Sequence, residues 1–341
     1  MLPGLWFSLV SEFQLRDRAA QEALEEKYLA PGATRSSQSK GRARPEPPDE
    51  LRTAFARDRD RILHSKAFRR LKHKTQVFMN PEGDHFVTRL THTLKVTQIG
   101  RAIADYLSLN VALTEAVCLG HDVGHSPFGH TGEEALSEFV AGEWRHSDQS
   151  VRIFEVLEPL NLTWEVMDGI RAHPWKVEEG PTTPEGTIVR YADRIAYLSH
   201  DAEDALRAGM LRTGDFPDEA IAAFGDPGRQ WIDSMVRSVI DHSLAVGRIE
   251  MEPTKLEVMH ELRSFMFERV YLHPLMEPHR NRAKEIVRDL VGHFRQRPDE
   301  IPETYRHDDA DVLTQVIDFV AGMTDRYAIR IHDELYRPRL F

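Results

Sequence analysis

The sequence predicts an all-α protein, and three observations support that fold class. Apolar residues recur at helical spacing along most of the 341 residues. No convincing run of alternating apolar and polar residues, the pattern typical of half-buried strands, occurs in the chain. Charged residues make up 29% and hydrophobic residues 41% of the chain, a composition typical of folded soluble proteins. Each helix must bury one apolar stripe, so we expect one helical body.

The elements are predicted in chain order from periodicity and capping residues. The apolar start MLPGLWFSLV is too short to span a membrane, and we interpret it as an amphipathic or mobile arm. Residues 9–29 carry helix formers, and residues 31–50 are dense in Pro, Gly, Ser and charge, which is typical of a flexible connector. The turn sequence MNPEGD predicts one short β-hairpin at 76–87. Helices are predicted at 51–71, 88–107, 112–119, 132–140, 150–157, 163–172, 187–206, 230–246, 255–270, 280–295 and 309–335.

Charge and cysteine content exclude several classes of protein. The net charge of -11 argues against a general attraction to nucleic acid or anionic lipid. Cys118 is the only cysteine, so no intrachain disulfide can form, and a secreted disulfide framework is excluded. We therefore expect a cytoplasmic protein that has no membrane partner and whose main partner is not nucleic acid.

The pair His121-Asp122 is the first candidate for a metal site. It lies at the end of a short apolar helix, where Gly120 and Gly124 allow a close approach of the backbone. Adjacent helical residues point about 100° apart, so both side chains reach one ion only if it lies near the helix end. Imidazole and carboxylate ligands together suit Mn, Fe, Co, Ni or Zn, and Mg less well.

Two ligands are too few for a metal site, and His92 and Asp193 are the further candidates. Taken singly, any of the four residues is more often a polar residue with satisfied hydrogen bonds. Taken together, the order H…HD…D is a specific pattern, so we favour a metal site.

The series His92, His121-Asp122 and Asp193 resembles the signature of the HD phosphohydrolase superfamily, an all-α metal-dependent fold. More narrowly, the chain resembles the deoxynucleoside triphosphate triphosphohydrolases, the dGTPase family. The segments that carry this resemblance are RTAFARDRDRILHSKAFRRLKHKTQV, TRLTHTLKV, HDVGHSPFGHTGE and YADRIAYLSHD. The resemblance implies a helix and connector at 1–50 and an HD-type domain at 51–341, with a metal core at 88–210 and a C-terminal helical part at 211–341.

Spacing singles out two further groups of polar residues. Asp193, Tyr197 and Asp201 are spaced i, i+4 and i+8 and share one helix face. His130 and Glu133 are three residues apart at a helix start, so Glu133 can orient His130 and raise its basicity. Without the resemblance, a solvated stripe explains the first group, and helix capping explains Glu133.

The resemblance implies roles for these residues and their neighbours. The residues that match active-site acid/base groups are His130, its carboxylate partner Glu133, and His146, whose role is open between phosphate binding and proton transfer. The residues expected to contact phosphate are Arg89, His125 and Arg194. The residues that match the sugar pocket are Gln76, Tyr197 and Asp201. A tyrosine packed beneath the sugar leaves no room for a 2′-hydroxyl, which implies selection for deoxy substrates.

A basic stretch precedes the first histidine of the signature. Nine Lys or Arg residues lie between Arg52 and Lys74. A charge run is usually a solvated face. Guanidinium groups also bind phosphate bidentately, so this segment is a candidate for binding a triphosphate.

The implied reaction is hydrolysis of dGTP or several dNTPs at the α-phosphate, to a deoxynucleoside and tripolyphosphate. One divalent ion (Mn, Mg, Fe, Co or Ni) is expected per active site, to polarise the α-phosphate and hold the attacking water. Relatives are commonly hexamers or tetramers, sometimes activated by a second dNTP. The resemblance therefore also implies a homo-oligomer and a second dNTP as activator.

Two alternatives stay open from the sequence. Another HD phosphohydrolase, acting on nucleoside monophosphates or cyclic nucleotides, would lack the basic segment and the tyrosine-aspartate stripe. A non-catalytic nucleotide sensor or nucleic-acid-binding protein would keep the fold without the chemistry. The intact ligand set and the pair His130 and Glu133 argue against lost catalysis.

Overall fold

The chain folds into an all-α body, which confirms the predicted fold class. The computed structural model describes residues 15–76, 87–308 and 310–337, and these contain helices, turns and isolated β-bridges but no strand. The N-terminal arm and hairpin residues 77–86 lie outside the described residues. Thr75 and Thr88, on either side of the hairpin residues, form an isolated antiparallel bridge. No helix in the described ranges is both long and apolar enough to cross a membrane.

The α-helices of the described residues are numbered in chain order. They are α1 (Arg18–Tyr28), α2 (Ala54–His64), α3 (Lys66–Arg70), α4 (Arg89–Tyr106), α5 (Val111–Gly120), α6 (His130–Ser137), α7 (His146–Arg152), α8 (Trp164–Ala172), α9 (Pro184–Arg207), α10 (Asp218–Phe224), α11 (Arg229–Val246), α12 (Pro253–Met266), α13 (Glu277–Gln296), α14 (Val312–Ala321) and α15 (Asp325–Tyr336). Single π-helical turns extend α7 and α12.

The main core is built around α4, α5 and α9, which pack against one another. Most of α5 is buried beneath α2, α4, α8 and α9, and its side chains Leu113, Val117 and Leu119 are nearly inaccessible to solvent. Full burial of such a side chain contributes about 1.5–3 kcal/mol to folding. His92 lies on α4, His121 ends α5 and Asp193 lies on α9, so packing of these three helices brings the candidate ligands together.

Capping residues explain where these three helices begin. The hydroxyl of Thr88 accepts the N–H of Thr91, and the hydroxyl of Thr91 accepts the N–H of Thr88. Asn110 and Thr183 each accept an N–H from the first turn of α5 and α9. Such a cap satisfies an otherwise unpaired N–H and contributes about 1 kcal/mol.

A second core joins α6 to the C-terminal lobe, which we define as residues 277–337. The lobe contributes α13, α14 and α15, and α6 packs against α13. Phe128, Leu136 and Trp144, from the middle of the chain, are buried in this second core. The segment that follows His121-Asp122 therefore lies between the two cores.

Two of the predicted helices are divided in the structure. The prediction at 51–71 becomes α2 and α3, because Ser65 ends α2 and its hydroxyl accepts the N–H of Phe68 at the start of α3. The prediction at 309–335 becomes α14 and α15, because Thr324 caps α15. The sequence analysis missed α10, and α7 begins earlier than predicted, at His146.

The segment 31–50 is held against the helical body, although its composition predicted a flexible connector. Thr34 donates its N–H and hydroxyl to the carboxylate of Glu185, and Ser39 donates its hydroxyl to Glu165. Arg42 forms an ion pair with the buried carboxylate of Asp58. Buried acids of the body thus satisfy polar groups that would otherwise be hydrated, and the segment is ordered for that reason.

Candidate metal centre and substrate cavity

The turn after α5 carries His121-Asp122 and is packed directly on its neighbours. A Cβ at Gly120 would lie 2.5 Å from Cδ1 of Ile170, and a Cβ at Gly124 would lie 2.3 Å from the backbone oxygen of His146. Real Cβ contacts are longer, so only glycine fits at these two positions. The glycines let α7 and α8 approach the turn, and this close approach brings His146 to the same site as His121.

The four predicted metal ligands converge on one point. Nε2 of His92 lies 3.0 Å from Oδ1 of Asp193 and 3.7 Å from Oδ2 of Asp122. Nε2 of His121 lies 3.4 Å from Oδ1 of Asp122 and 3.8 Å from Oδ1 of Asp193. Metal–ligand distances of 2.0–2.2 Å place neighbouring ligand atoms roughly 3.0–3.4 Å apart. His92, His121 and Asp193 offer ligand atoms that all lie within 4.8 Å of one another, and Asp122 forms such a group with His121 and His173, so two overlapping groups border the place where a divalent ion would bind.

Nδ1 of His92 and Nδ1 of His121 each have a hydrogen-bond partner, which leaves Nε2 of both rings available to a metal. Nδ1 of His121 donates to the backbone oxygen of Cys118 at 2.6 Å, so Nε2 carries the lone pair. That Nε2 atom is buried and has no hydrogen-bond partner among the described residues. Nδ1 of His92 lies 2.8 Å from Nε2 of His200, an arrangement that orients a metal-binding imidazole. The donor set thus fits a transition-metal ion such as Mn, Fe, Co or Ni.

Two histidines that the sequence analysis did not single out lie beside the four ligands. Nδ1 of His173 donates to the backbone oxygen of Ile170 at 2.7 Å, and its Nε2 lies 3.3 Å from Nε2 of His146. His173 also belongs to a group with His121 and Asp122 whose ligand atoms lie within 4.8 Å of one another. His200 contacts Nδ1 of His92 through its Nε2. His200 lies within the segment YADRIAYLSHD and His173 lies in none of the motifs named above, and only their spatial neighbours show that both border the site.

Glu133 lies near three histidines, and its closest partners are His125 and His146. The spacing in the sequence had suggested His130 as its partner. Nδ1 of His125 lies 2.5 Å and Nδ1 of His146 lies 2.9 Å from Oε1 of Glu133. His130 is more distant, at 3.8 Å from Oε2, and three quarters of its side chain is exposed. The closest carboxylate contacts thus belong to His125 and His146, whose rings stack with centroids 3.8 Å apart. His130 stands at the open side of the same cluster.

The charges of this cluster are set by burial and by mutual contact. Burial alone raises the pKa of Glu133, but His146 and His125 outweigh it, and the pKa lies well below its usual value. Burial and the nearby Arg89 lower the pKa of His125 to about 4. Burial also opposes protonation of His146, yet the Glu133 carboxylate prevails and raises its pKa. Glu133 is therefore a carboxylate, and His146 carries a proton more readily than His125 does.

A cavity of about 260 Å³ opens beside the ligands, close to the lower end of the roughly 300–1,000 Å³ typical of small-molecule sites. The predicted site residues that line it are His92, Asp122 and Asp193 of the metal set, Arg89, His125, His130, Glu133, His146 and Arg194 around them, and Gln76, Tyr197 and Asp201. His121 lies behind this wall and is fully buried. Oε1 of Gln76 is buried without a hydrogen-bond partner in the described part of the chain.

Two arginines bring positive charge to the cavity wall. Arg194 and Arg263 form no ion pair with a described carboxylate, whereas Arg89 donates to Oδ2 of Asp122 at 2.9 Å. The guanidinium of Arg194 lies over the ring of Trp175, 4.2 Å from its centroid. Arg263, which the sequence analysis did not single out, comes from α12. These groups suit a polyanion, since guanidinium groups bind phosphate oxygens in pairs.

The basic stretch between Arg52 and Lys74 does not line the cavity, contrary to its predicted role. None of its nine described Lys and Arg side chains belongs to the cavity wall. Arg57 and Arg61 pair with Glu46, and Arg52 pairs with Asp49. Acidic residues of segment 31–50 thus pair with three of these nine side chains, and these ion pairs help to dock that segment.

Tyr197 and Asp201 lie at the end of the cavity away from Glu133, together with Tyr271. The hydroxyl of Tyr271 donates to Oδ2 of Asp201 at 2.6 Å, and Nδ1 of His200 lies 2.8 Å from Oδ1. Burial raises the pKa of Tyr197, so it is a neutral phenol. Tyr271 follows α12 and was not singled out by the sequence analysis.

Comparisons with known proteins agree with this architecture. Residues 89–198 match the HD domain, and residues 249–334 match the phosphohydrolase-associated domain. A helical body with a converging His and Asp set in that domain defines an HD-domain phosphohydrolase. Similarity to individual proteins places the chain in a narrower family within this class.

Three relatives carry the same name, deoxyguanosinetriphosphate triphosphohydrolase-like protein. The one from Caldanaerobacter subterraneus subsp. tengcongensis is 47% identical, with 95% of this chain and 97% of its own length aligned. The one from Desulfatibacillum aliphaticivorans is 42% identical, over 95% and 98%. The one from Clostridium perfringens is 41% identical, over 89% and 93%. The chain therefore belongs to the family of deoxyguanosinetriphosphate triphosphohydrolase-like proteins, which confirms the resemblance.

Proposed function

We propose that this protein hydrolyses deoxynucleoside triphosphates to a deoxynucleoside and tripolyphosphate. The observation that carries the proposal is a single cavity bordered by three kinds of group. Asp122, Asp193 and His92 form one wall, Arg194 and Arg263 bring unpaired positive charge, and a tyrosine-aspartate end offers hydrogen bonds to a sugar. The names of the relatives point to the same substrate class.

The phosphate chain would be bound by the arginines of the cavity. Arg194 and Arg263 have no competing carboxylate partner in the described residues. Nη1 of Arg194 lies 3.1 Å from Nδ1 of His260, and the remaining N–H groups of the two arginines can donate to phosphate oxygens. Nε of Arg194 and Nε of Arg89 are buried without a hydrogen-bond partner there. Such preorganised donors stabilise the negative charge that builds up on the phosphoryl oxygens during attack at the α-phosphorus. A tripolyphosphate product would meet the same groups.

The proton chemistry would fall to the histidines around Glu133. Water attacks the α-phosphorus, the bond to the 5′-oxygen breaks, and that oxygen takes up a proton. His130, held loosely by Glu133 at the open side of the cluster, is placed to exchange protons with substrate and solvent. His146, whose Nδ1 donates to Glu133, is the other candidate for proton transfer. His92, His121, Asp122 and Asp193 would hold a divalent cation, and such an ion would supply Lewis-acid polarisation of a phosphoryl oxygen.

The deoxyribose would lie against Tyr197 and Asp201. Asp201 is 2% exposed and accepts from Tyr271, so its position is fixed before substrate arrives. A carboxylate in this position can accept a hydrogen bond from a 3′-hydroxyl. Gln76, whose Oε1 lacks a described partner, is available to a sugar hydroxyl from the opposite wall.

The decisive experiment is incubation of metal-reconstituted protein with each of the four dNTPs and with GTP, followed by identification of both products. We expect a deoxynucleoside and tripolyphosphate from at least one dNTP and none from GTP. Orthophosphate as the product would indicate a different HD phosphohydrolase, and salt-sensitive binding to single-stranded DNA without turnover would indicate a non-catalytic protein. Repeating the assay with pairs of dNTPs tests for an activator nucleotide, and light scattering tests for a hexamer or tetramer.

Replacing Tyr197 with alanine should weaken discrimination between deoxy and ribo substrates. The tyrosine ring occupies space beneath the proposed sugar position, and its removal makes room for a 2′-hydroxyl. We expect the ratio of kcat/KM for dGTP to that for GTP to fall by roughly 10–200-fold, the range that one steric contact provides. Tyr197→Phe keeps the ring and is the matched control. An unchanged ratio in Tyr197→Ala would place the sugar elsewhere.

A further inference from the structure

Asp325 begins α15 in the C-terminal lobe, and it is only 4% exposed. Its Oδ2 accepts hydrogen bonds from the backbone N–H and the hydroxyl of Thr75, at 3.0 and 2.6 Å. Its Oδ1 accepts the backbone N–H of Phe128 at 3.0 Å. The carboxylate therefore joins two segments that are distant from each other and from Asp325 in the sequence.

Both segments border the substrate cavity. Thr75 directly precedes Gln76, and Phe128 is followed by Gly129 and then His130, the first residue of α6. Gln76, Phe128 and His130 all line the cavity. One buried carboxylate thus holds two parts of its wall in a fixed relation.

The turn at Phe128 needs support from outside its own sequence. Phe128 has a φ of 63° and Gly129 a φ of 57°, so both lie in the left-handed region. This conformation is sterically strained for a residue that has a Cβ atom. A Cβ at Gly129 would also lie 2.6 Å from Nη2 of Arg89, so the turn packs closely against that arginine. The hydrogen bond to Asp325 and the burial of the Phe128 ring offset the cost of the turn.

Lys74 provides a second contact between the lobe and the same region. Lys74 is 1% exposed, and its Nζ donates to the backbone oxygen of Ala321 at 3.1 Å. It also donates to the backbone oxygen of His125. Ala321 at the end of α14 thus contacts Lys74, and Asp325 at the start of α15 contacts Thr75 and Phe128.

We propose that Asp325 is a positioning residue, which fixes the Gln76 segment and the neighbouring His130 turn relative to each other at the cavity wall. The C-terminal lobe then determines the shape of the pocket without contributing a ligand to the metal site. The proposal depends on the proposed function only for the choice of substrate in the kinetic test. Asp325 has no described hydrogen bond or ion pair with the four metal ligands, so its effect should be separable from metal binding.

Glu185 offers a matched control on the same chain. It too is a buried carboxylate that accepts a threonine N–H, the same threonine's hydroxyl and a second backbone N–H, from Thr34 and Asn110. These contacts attach the segment 31–50 to the body, and neither Thr34 nor Asn110 lines the cavity. Replacing Glu185 with glutamine therefore perturbs an equivalent hydrogen-bond cluster away from the substrate.

The test compares full-length Asp325→Asn with Glu185→Gln, both loaded with Mn²⁺. We expect both variants to unfold at lower temperature and both to retain wild-type metal content. Only Asp325→Asn should lose kcat/KM for a dNTP, by about 10–100-fold, because small misplacement of reacting groups is costly. Hydrogen–deuterium exchange is measured without substrate on peptides that cover residues 124–133. These peptides should exchange faster in Asp325→Asn than in the wild type, whereas Glu185→Gln should exchange at the wild-type rate.

Thr75 gives a milder version of the same test, which holds even if Asp325→Asn folds poorly. Thr75→Val removes one of the three hydrogen bonds and should show a smaller loss of kcat/KM, whereas Thr75→Ser should restore wild-type values. Equal kinetics and equal exchange in Asp325→Asn and Glu185→Gln would overturn the proposal, as would loss of the metal from Asp325→Asn. If the wild-type protein turns over no dNTP, the proposed function fails, and the exchange comparison still decides the role of Asp325.

Discussion

Replacing His121 with alanine is expected to abolish metal binding and turnover while the helix content stays close to that of the wild type. His121 offers Nε2 to the point where Asp122, Asp193 and His92 meet, and that atom has no other described partner. Without His121 the metal is held by three ligands instead of four. If the ion is lost, no positive charge between Asp122 and Asp193 offsets the repulsion of their carboxylates. Metal analysis, circular dichroism and a dNTP turnover assay on the same preparation check the prediction.

The structure makes His121→Ala a cleaner test than Asp122→Ala. Asp122 also accepts a hydrogen bond from the buried Arg89, so its removal leaves an unpaired buried charge. Breaking such a pair costs roughly 3–5 kcal/mol, and Asp122→Ala should therefore lose stability as well as metal. Turnover that persists in metal-depleted His121→Ala would contradict the assignment of the metal site.

Replacing His130 with alanine is expected to lower kcat by a factor of roughly 10²–10⁴ and to leave the bound metal in place. The side chain stands at the cavity, 3.8 Å from Oε2 of Glu133, and is too exposed to contribute much to folding. Its loss removes a proton donor or acceptor without disturbing the four metal ligands. Single-turnover rates and metal content measured together check both halves of the prediction.

His146→Ala is the companion variant, because His146 contacts the same carboxylate more closely. A larger loss of rate in His146→Ala than in His130→Ala, with metal retained in both, would assign the proton transfer to His146. If His130→Ala instead strips the ion, His130 is a ligand, as its grouping with His125 and Glu133 would allow.

The sequence predicted the helices of the main core well because their patterns are local. The structure has α4 at Arg89–Tyr106 where 88–107 was predicted, and α8 at Trp164–Ala172 where 163–172 was predicted. Apolar spacing and capping residues determine such helices within one or two turns of chain. Predictions failed where a hydroxyl residue lies inside a periodic pattern, as at Ser65 and Thr324. Serine or threonine caps a helix only where the backbone leaves the helical conformation, and tertiary contacts decide that.

The resemblance named the candidate site residues, but their pairing was not readable from spacing. Three residues separate His130 from Glu133, and this spacing suggested a close pair. The structure brings His125 and His146 closer to that carboxylate. The difference arises because Glu133 faces inward between the two cores, where a histidine of α7 reaches it, whereas His130 points towards solvent.

The sequence by itself determined the helical class, the core helices and the family, and it named the candidate site residues. Each of these depends on residue type and on spacing within one segment. Only the tertiary structure decided that segment 31–50 is docked, that Arg263 and Tyr271 line the cavity, and that Asp325 joins two neighbouring segments of the cavity wall. Those contacts connect residues that lie far apart in the chain, and they form only when helix packing brings distant segments together. For the same reason LGHDVGHSPFGHTGE names the chemical groups of the site, whereas the packing of the two cores around it determines which of them touch.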